Sequence, residues 1–411
     1  MPVLPESAKK IKLPEMIDVK QLFPDDYISP DMLPDSVKNE INQVRITSRI
    51  KAGQSVAVLV GSRGITNIDI IVKQTIDSLK ELGAKPFIVP AMGSHGGGVA
   101  EAQRKIIEGY DITEEKMGVP IKASMETVVI GYTPSGVQVH MDKNAYEADA
   151  VVPVARVKTH TDFKGPIESG MCKMLAIGCG KHNGCSTLHR EGFDNFPKLI
   201  PEVAQVFIQN KNIAFGIAII ENAHDHVHLV KAVPGDSFLQ EEPELLKLSK
   251  SLMPKLQFDD IDVLIVEQIG KDITGSGMDP NIMGRLSYGP SPEYNGPKIK
   301  RIVVLGLTEG THGNATGIGV ADFTVKKVRD NMDIEATYAN SIASCDPVGG
   351  FLPIVMDTEE EAIRAAIQTC LHIDRDNAKV VRIKNTLNLI DIKVSKNLEE
   401  YCRTSGLFAI N

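Results

Sequence analysis

Apolar residues in this chain fall into two kinds of run. Val56-Ala57-Val58-Leu59-Val60 is unbroken, the pattern of a strand buried on both faces. After it, Ile68, Ile71, Val72, Ile76, Leu79 and Leu82 recur at helical spacing, and Gly83 is placed to cap their C-terminal end. Phe87-Ile88-Val89 predicts the next strand and completes a β-α-β unit. Further apolar runs at 150–157 and 213–220 predict two more strands. A charged, periodic stretch at about 239–253 predicts a helix separating these from a second set. That set has strands at 263–266 and 302–307, a helix near 358–371 and a strand near 379–383. The first fifty residues are Pro-rich and polar, and are expected to wrap the first domain. The expected architecture is two α/β domains with mostly parallel sheets facing a shared cleft. The expected division is an N-terminal domain over 1–240, a helical linker over 241–260 and a C-terminal domain over 261–411. At 411 residues the chain is too long for one ordinary core, which supports two domains.

Composition narrows the function. With 42% hydrophobic and 24% charged residues the chain reads as globular. A net charge of −8 argues against a dedicated nucleic-acid binder, which needs a basic face. No apolar run approaches membrane-spanning length, and the first residues lack a secretory apolar segment. Six cysteines in so long a chain do not form a disulfide framework. A reducing cytoplasm is the expected setting, and a small molecule the expected partner.

The unusual residues follow the expected strands. Gly61-Ser62-Arg63-Gly64 follows the first strand and Gly93-Ser94-His95-Gly96-Gly97-Gly98 the second; Arg156-Val157-Lys158-Thr159-His160 ends the third. In the second set, Gly270-Lys271 and Glu309-Gly310-Thr311-His312-Gly313 also follow strands. Ligands of open parallel sheets bind at carboxyl ends of strands, so these exits point to binding surfaces. Arg63 in a Gly-flanked turn suits a carboxylate or phosphate, unless it is an ordinary surface arginine. Gly96 and Gly97 allow close backbone approach to a ligand, with His95 at the edge; a flexible turn is the plain reading. His160, beside Lys158, Asp162 and Lys164, is a candidate general acid/base whose pKa the lysines would lower. Lys173 lies thirteen residues after His160 and sixteen before His189, in a stretch rich in Gly, Cys and cations. Cys172, Cys179 and Cys185, with His182 nearby, offer a zinc or iron–sulfur alternative, but their C-x6-C-x5-C spacing fits no usual pattern and buried thiols explain them as well. His224-Asp225-His226-Val227-His228 would place three imidazoles on one strand face, or mark a polar strand end. Asp279, Asn281 and Arg285 form either a cleft wall or a turn.

Taken together, GSRG, GSHGGG, RVKTHTDFKGPIESGMCKML and the later His189 resemble the nickel-dependent lactate racemase family, on a branch not specific for lactate. The segments GKDITGSGMDPNIMGR and HGNATGIGVADFT are similar to that branch too. The resemblance implies two α/β domains around a cleft and a nickel-pincer pyridinium mononucleotide tethered to a lysine. Lys173 would be the tether, with Gly96 and Gly97 also at the cofactor, and His189 the protein ligand to nickel. His95 and His160 would be the acid/base pair, Arg63 a substrate-carboxylate anchor and Lys271 a second-domain substrate contact. The implied reaction is racemisation or epimerisation of a 2-hydroxy acid by reversible hydride transfer to the pyridinium ring. Cofactor-synthesis proteins upstream and a homodimer follow from the same resemblance. Two departures stand out: Val60 replaces an aspartate of the lactate-racemising members, and the stretch from His160 to Lys173 is three residues longer. These changes, with the cations Arg156, Lys158 and Lys164, favour malate or a similar hydroxy-diacid over lactate. The remaining alternative is a nucleotide-binding module without catalysis.

Overall fold

The structure is a computed structural model and describes residues 4–62, 64–287, 289–290 and 294–410. It divides into two compact units, one of residues 24–253 and the other of 4–23 with the described residues from 254 to 410.

The 24–253 unit is built on strands β1 (Ser55–Val60), β2 (Lys85–Pro90), β3 (Ala150–Arg156), β4 (Phe215–Glu221) and β5 (Val227–Pro234). Their order is β2-β1-β3-β4-β5; the first four run parallel and β5 is antiparallel to β4. Alternate residues serve two cores. Ala57, Leu59, Val151 and Ala218 join one, and Val56, Val58, Val152 and Ile217 join the other. Burial on both faces is why these strands read as unbroken apolar runs. Helix α1 (Ile68–Glu81) buries Ile71, Val72, Ile76 and Leu79, as its spacing predicts. It stops at Gly83, whose φ of +79° suits glycine, with Ala84 N–H donating to Leu79 O at 3.0 Å. Helix α2 (Ala100–Glu108) follows the loop after β2. Later helices are α3 (Lys181–Arg190) and α4 (Phe238–Leu252). A hairpin of Thr127–Tyr132 and Gln138–Asp142 forms a separate two-stranded sheet.

The other unit holds an eight-stranded mixed sheet. Five strands are parallel, in the order Ile354–Met356, Phe323–Val325, Lys298–Val304, Asp260–Val266 and Val380–Ile383. Asp391–Ser395, Met16–Gln21 and Phe408–Ile410 extend it antiparallel. The α/β class with mostly parallel strands is as expected.

The chain divides differently from the expected 1–240, 241–260 and 261–411. Of the first fifty residues, 24–50 do pack on the first unit, with Leu33, Val37, Ile41 and Ile46 in one of its cores, but Met16–Gln21 pairs with both Asp391–Ser395 and Phe408–Ile410 in the other unit. The stretch expected as a linker is largely α4, which buries Phe238, Leu245 and Leu246 in the core shared with Met171 and Leu175. Among the described residues, no helix is long and apolar enough to cross a membrane.

Candidate functional site

With the order 2-1-3-4-5, the connections from β1 and β3 leave towards opposite sides, so the crevice at their carboxyl ends is the expected ligand position in such a sheet. β1 exits there into Gly61-Ser62, and Arg63 lies outside the described residues. β2 exits into the His95 loop, where Gly96, Gly97 and Gly98 all have φ of 65–68°, so each position favours glycine. His95 Nδ1 makes a short hydrogen bond with Ser62 Oγ, which links the two exits. Gln103, on α2, steadies the loop by donating from Nε2 to Gly93 O at 2.9 Å and His95 O at 3.0 Å.

β3 exits into the segment carrying His160. Lys158 and Ser169 pair through N–H to O bonds of 2.9 and 3.1 Å and close a loop between them. Glu168, almost wholly buried, holds that loop from inside. It accepts the His160 N–H at 2.7 Å and meets Lys250 Nζ at 2.8 Å and Lys164 Nζ at 3.6 Å. Lys164 also donates to His160 O at 2.6 Å. The imidazole accepts at Nδ1 from Asp162 N–H at 3.1 Å, so the neutral ring carries its proton on Nε2. Burial, reinforced by Lys173, Lys164 and Lys158, holds the His160 pKa well below its usual value. His160 is therefore neutral, as expected for the candidate acid/base.

Lys173 ends the short helix Met171–Lys173, which continues as a π-helix over Met174–Cys179. Such segments recur at functional sites. The π-helix lies over the carboxyl ends of β1 and β2: a Cβ on Gly61 would be 3.0 Å from Met174 Cε, and Gly93 N–H donates to Gly178 O at 3.2 Å. Beneath the helix start, buried Glu242 accepts the Cys172 N–H at 3.0 Å. Burial pushes the Glu242 carboxyl up to about 7.

His189, in the last turn of α3, is exposed, and its Nδ1 lies 2.7 Å from the Cys185 carbonyl. A carbonyl only accepts, so Nδ1 carries the proton and the Nε2 lone pair remains for a ligand. Metal-binding histidines commonly show this arrangement. The Cys185 thiol, 3.5 Å from the same Nδ1, raises the His189 pKa against the opposing effect of partial desolvation. Both histidines pack on one aromatic cluster. The His160 ring centroid is 4.4 Å from Phe163 and 6.3 Å from Phe193; that of His189 is 5.3 Å from Phe193 and 5.2 Å from Phe196. The structure thus gathers Lys173, His160, His189, His95 and Ser62 at one rim of one sheet.

Other candidates make local contacts. Cys172, Cys179 and Cys185 are buried free thiols, and no three His, Cys, Asp or Glu among the described residues are placed to hold a metal. Burial raises the Cys172 thiol well above its usual range and pushes Cys179 up to about 12, so neither is a ready thiolate ligand. The 224–228 segment spans the turn after β4 and the first two residues of β5, with Asp225 at φ +58° and Asn222 N–H donating to His226 O at 2.9 Å. There His226 Nδ1 pairs with Asp25 Oδ1 at 2.7 Å and His228 Nδ1 with Asp26 O at 2.8 Å. In the other unit, Asp279 caps a short helix by accepting the Asn281 N–H at 2.8 Å, and Arg285 is bound to Asp322 at 2.7 Å. Lys271, also in that unit, donates from Nζ to Gly275 O at 2.6 Å. Arg156 is engaged by Glu221, which also accepts the Thr66 N–H at 2.7 Å. Glu168, Glu221 and Glu242 went unnoticed in the sequence, because nothing in the spacing of a glutamate marks it as a buried hub.

Residues 10–198 match the family model of the lactate racemase N-terminal domain. Over that region, just under half of the chain, the protein is lactate racemase-like. No curated protein sequence matches the chain significantly. Among solved structures, a Thermotoga maritima protein from a structural genomics programme is similar at a TM-score of 0.53 and 14% identity, over 90% of this chain and 99% of that one. The lactate racemase apoprotein of Thermoanaerobacterium thermosaccharolyticum is similar at a TM-score of 0.52 and 13% identity, over 92% of this chain and 99% of that one. At such identities the likeness is one of fold.

Proposed function

We propose that this protein is a racemase or epimerase of a 2-hydroxy acid that works with a lysine-tethered nickel-pincer nucleotide. The observation that carries this reading is the convergence of Lys173, His160 and His189 on one switch-point rim, in a region of the lactate racemase N-terminal domain family. The donor set fits the cofactor. His189 offers one imidazole nitrogen, and no three His, Cys, Asp or Glu among the described residues are placed to hold a metal, as suits a metal held mainly by its own cofactor. When bound, the cofactor supplies an acceptor for the hydrogen on the substrate's hydroxyl-bearing carbon, a hydrogen too weakly acidic for a histidine to remove as a proton.

The chain's own residues handle the proton and the orientation. His95, hydrogen-bonded to Ser62 Oγ through Nδ1, is proposed to take up the substrate hydroxyl proton. His160, neutral and protonated at Nε2, can return a proton to oxygen. Arg63 is proposed to grip the substrate carboxylate, Gly96 and Gly97 to let the cofactor approach, and Lys271 to contact substrate. The protein is proposed to be cytoplasmic and homodimeric, and to receive its cofactor from dedicated synthesis proteins. The case for a diacid weakens, since Arg156 is paired with Glu221 and Lys164 with Glu168. Malate therefore stands level with monocarboxylic hydroxy acids.

Two measurements test the proposal. Intact mass of protein made alongside cofactor-synthesis enzymes should show a cofactor-sized adduct that maps to Lys173 and disappears in Lys173→Ala. The loaded protein should racemise at least one member of a panel including L-lactate and L-malate. An adduct without turnover of any member would favour a binding module.

A further inference from the structure

We infer that Lys181 is a positioning residue, whose buried ammonium fixes the chain reversal that returns His189 to Lys173 and anchors the loop presenting His95. The inference rests on the proposed roles of Lys173 and His189. Sixteen residues separate those two positions. In one straight helix they would lie about 24 Å apart. Instead the π-helix ends at Cys179 and the chain turns at Gly180-Lys181, with Lys181 at φ +55°. The arms before and after the turn pack closely: a Cβ on Gly180 would lie 2.5 Å from Ala176 O and 3.2 Å from Gly184 Cα. The reversal brings His189 back onto the aromatic cluster that also receives His160.

A lysine is an unusual choice for such a turn. The left-handed region disfavours side chains with a Cβ, and a wholly buried ammonium is costly. Both penalties are offset by what Lys181 Nζ holds. It donates to Pro90 O at 2.5 Å, at the end of β2, and to Gln103 Oε1 at 3.0 Å, on α2. Asp142 Oδ2, on the hairpin, lies 3.4 Å away as its counter-charge. The amide of the same Gln103 donates to Gly93 O and His95 O. One ammonium thus ties the turn before His189 to both ends of the loop that presents His95. A glycine would suit the turn's backbone but could not make these ties.

The test compares Lys181→Met with Lys181→Met/Asp142→Asn. The double variant removes the orphaned negative charge and keeps an oxygen to accept the Ala145 N–H, so it should stay folded even where the single variant does not. In the double variant, amide hydrogen exchange over 91–99 and 181–190 of cofactor-free protein should rise at least tenfold relative to wild type. The rest of the 24–253 unit should keep its protection. In loaded protein, kcat should fall at least tenfold with KM within threefold. A folded double variant with wild-type exchange in both segments overturns the inference, and so does one with wild-type kcat. Because exchange is read without cofactor, it decides the positioning role even where wild type proves inactive on every hydroxy acid, an outcome that would count against the proposed function alone.

Discussion

Glu242 is a buried carboxyl whose pKa is pushed up to about 7 by burial. Its Oε1 has no hydrogen-bond partner among the described residues, while Oε2 accepts the Cys172 N–H. A carboxyl raised in the folded state binds more protons there than in the unfolded chain. Its stabilising contribution is therefore complete below the ordinary carboxyl pKa of 4.5 and is lost as pH rises through about 7. The loss amounts to about 3 kcal/mol. Glu242→Gln should remove this dependence. The difference between variant and wild-type unfolding free energies, from denaturant titrations at pH 5 and pH 8, should favour the variant more at pH 8; an equal difference at both would refute the assignment. His160 has the opposite sign: its lowered pKa means stability is lost as pH falls below the ordinary histidine range. Imidazole 15N shifts should show it neutral, with the proton on Nε2, through pH 6; a charged ring at that pH would contradict the buried geometry. The histidines, Lys173 and the glycines were legible as candidates because few plain structural roles call for those residue types together. The glutamates beneath them were not, since only the fold shows which carboxylates are buried.

The element that presents His160 is a loop closed at its neck by Lys158 and Ser169 and filled by the Glu168 carboxylate. Replacing Glu168 by Gln keeps an acceptor for the His160 N–H but leaves Lys164 and Lys250 without their shared counter-charge. Breaking a buried ion pair from one side should cost about 3 kcal/mol, seen as a lower denaturant midpoint with unchanged slope. Loaded Glu168→Gln should also lose about tenfold in kcat, because a displaced His160 no longer meets the substrate oxygen. A variant with wild-type stability and turnover would show that the loop is held by its neck alone. This loop accounts for much of the stretch between His160 and Lys173, and no periodicity announces it. The hairpin of Thr127–Tyr132 and Gln138–Asp142 was equally hidden, because its first strand is only partly buried and offers no apolar contrast. The strands β1 to β4 were legible for the opposite reason: both faces are buried, so no polar position interrupts them.

For the whole molecule, the sequence pattern revealed two α/β units but misplaced their boundaries, and Met16–Gln21 shows why. Its sequence, MIDVKQ, alternates apolar and polar positions without a run, and its partners lie more than 350 residues away in the chain. No local pattern carries that pairing. The strand sits between Asp391–Ser395 and Phe408–Ile410, so residues 254–411 alone would expose two unpaired edges where it belongs. They would also lose Gln21, fully buried, whose Nε2 donates to Leu389 O at 2.6 Å and Lys255 O at 3.0 Å. A fragment of residues 254–411 should therefore aggregate or remain partly unfolded. Adding a synthetic peptide of residues 4–23 should restore a cooperative thermal transition and a monodisperse elution profile. A peptide with Val19→Asp, which places a charge at a buried position of the strand, should fail to do so. If the fragment instead folds cooperatively by itself and ignores the peptide, the N-terminal strand is an accessory to a complete unit, and the division at residue 23 has no thermodynamic meaning.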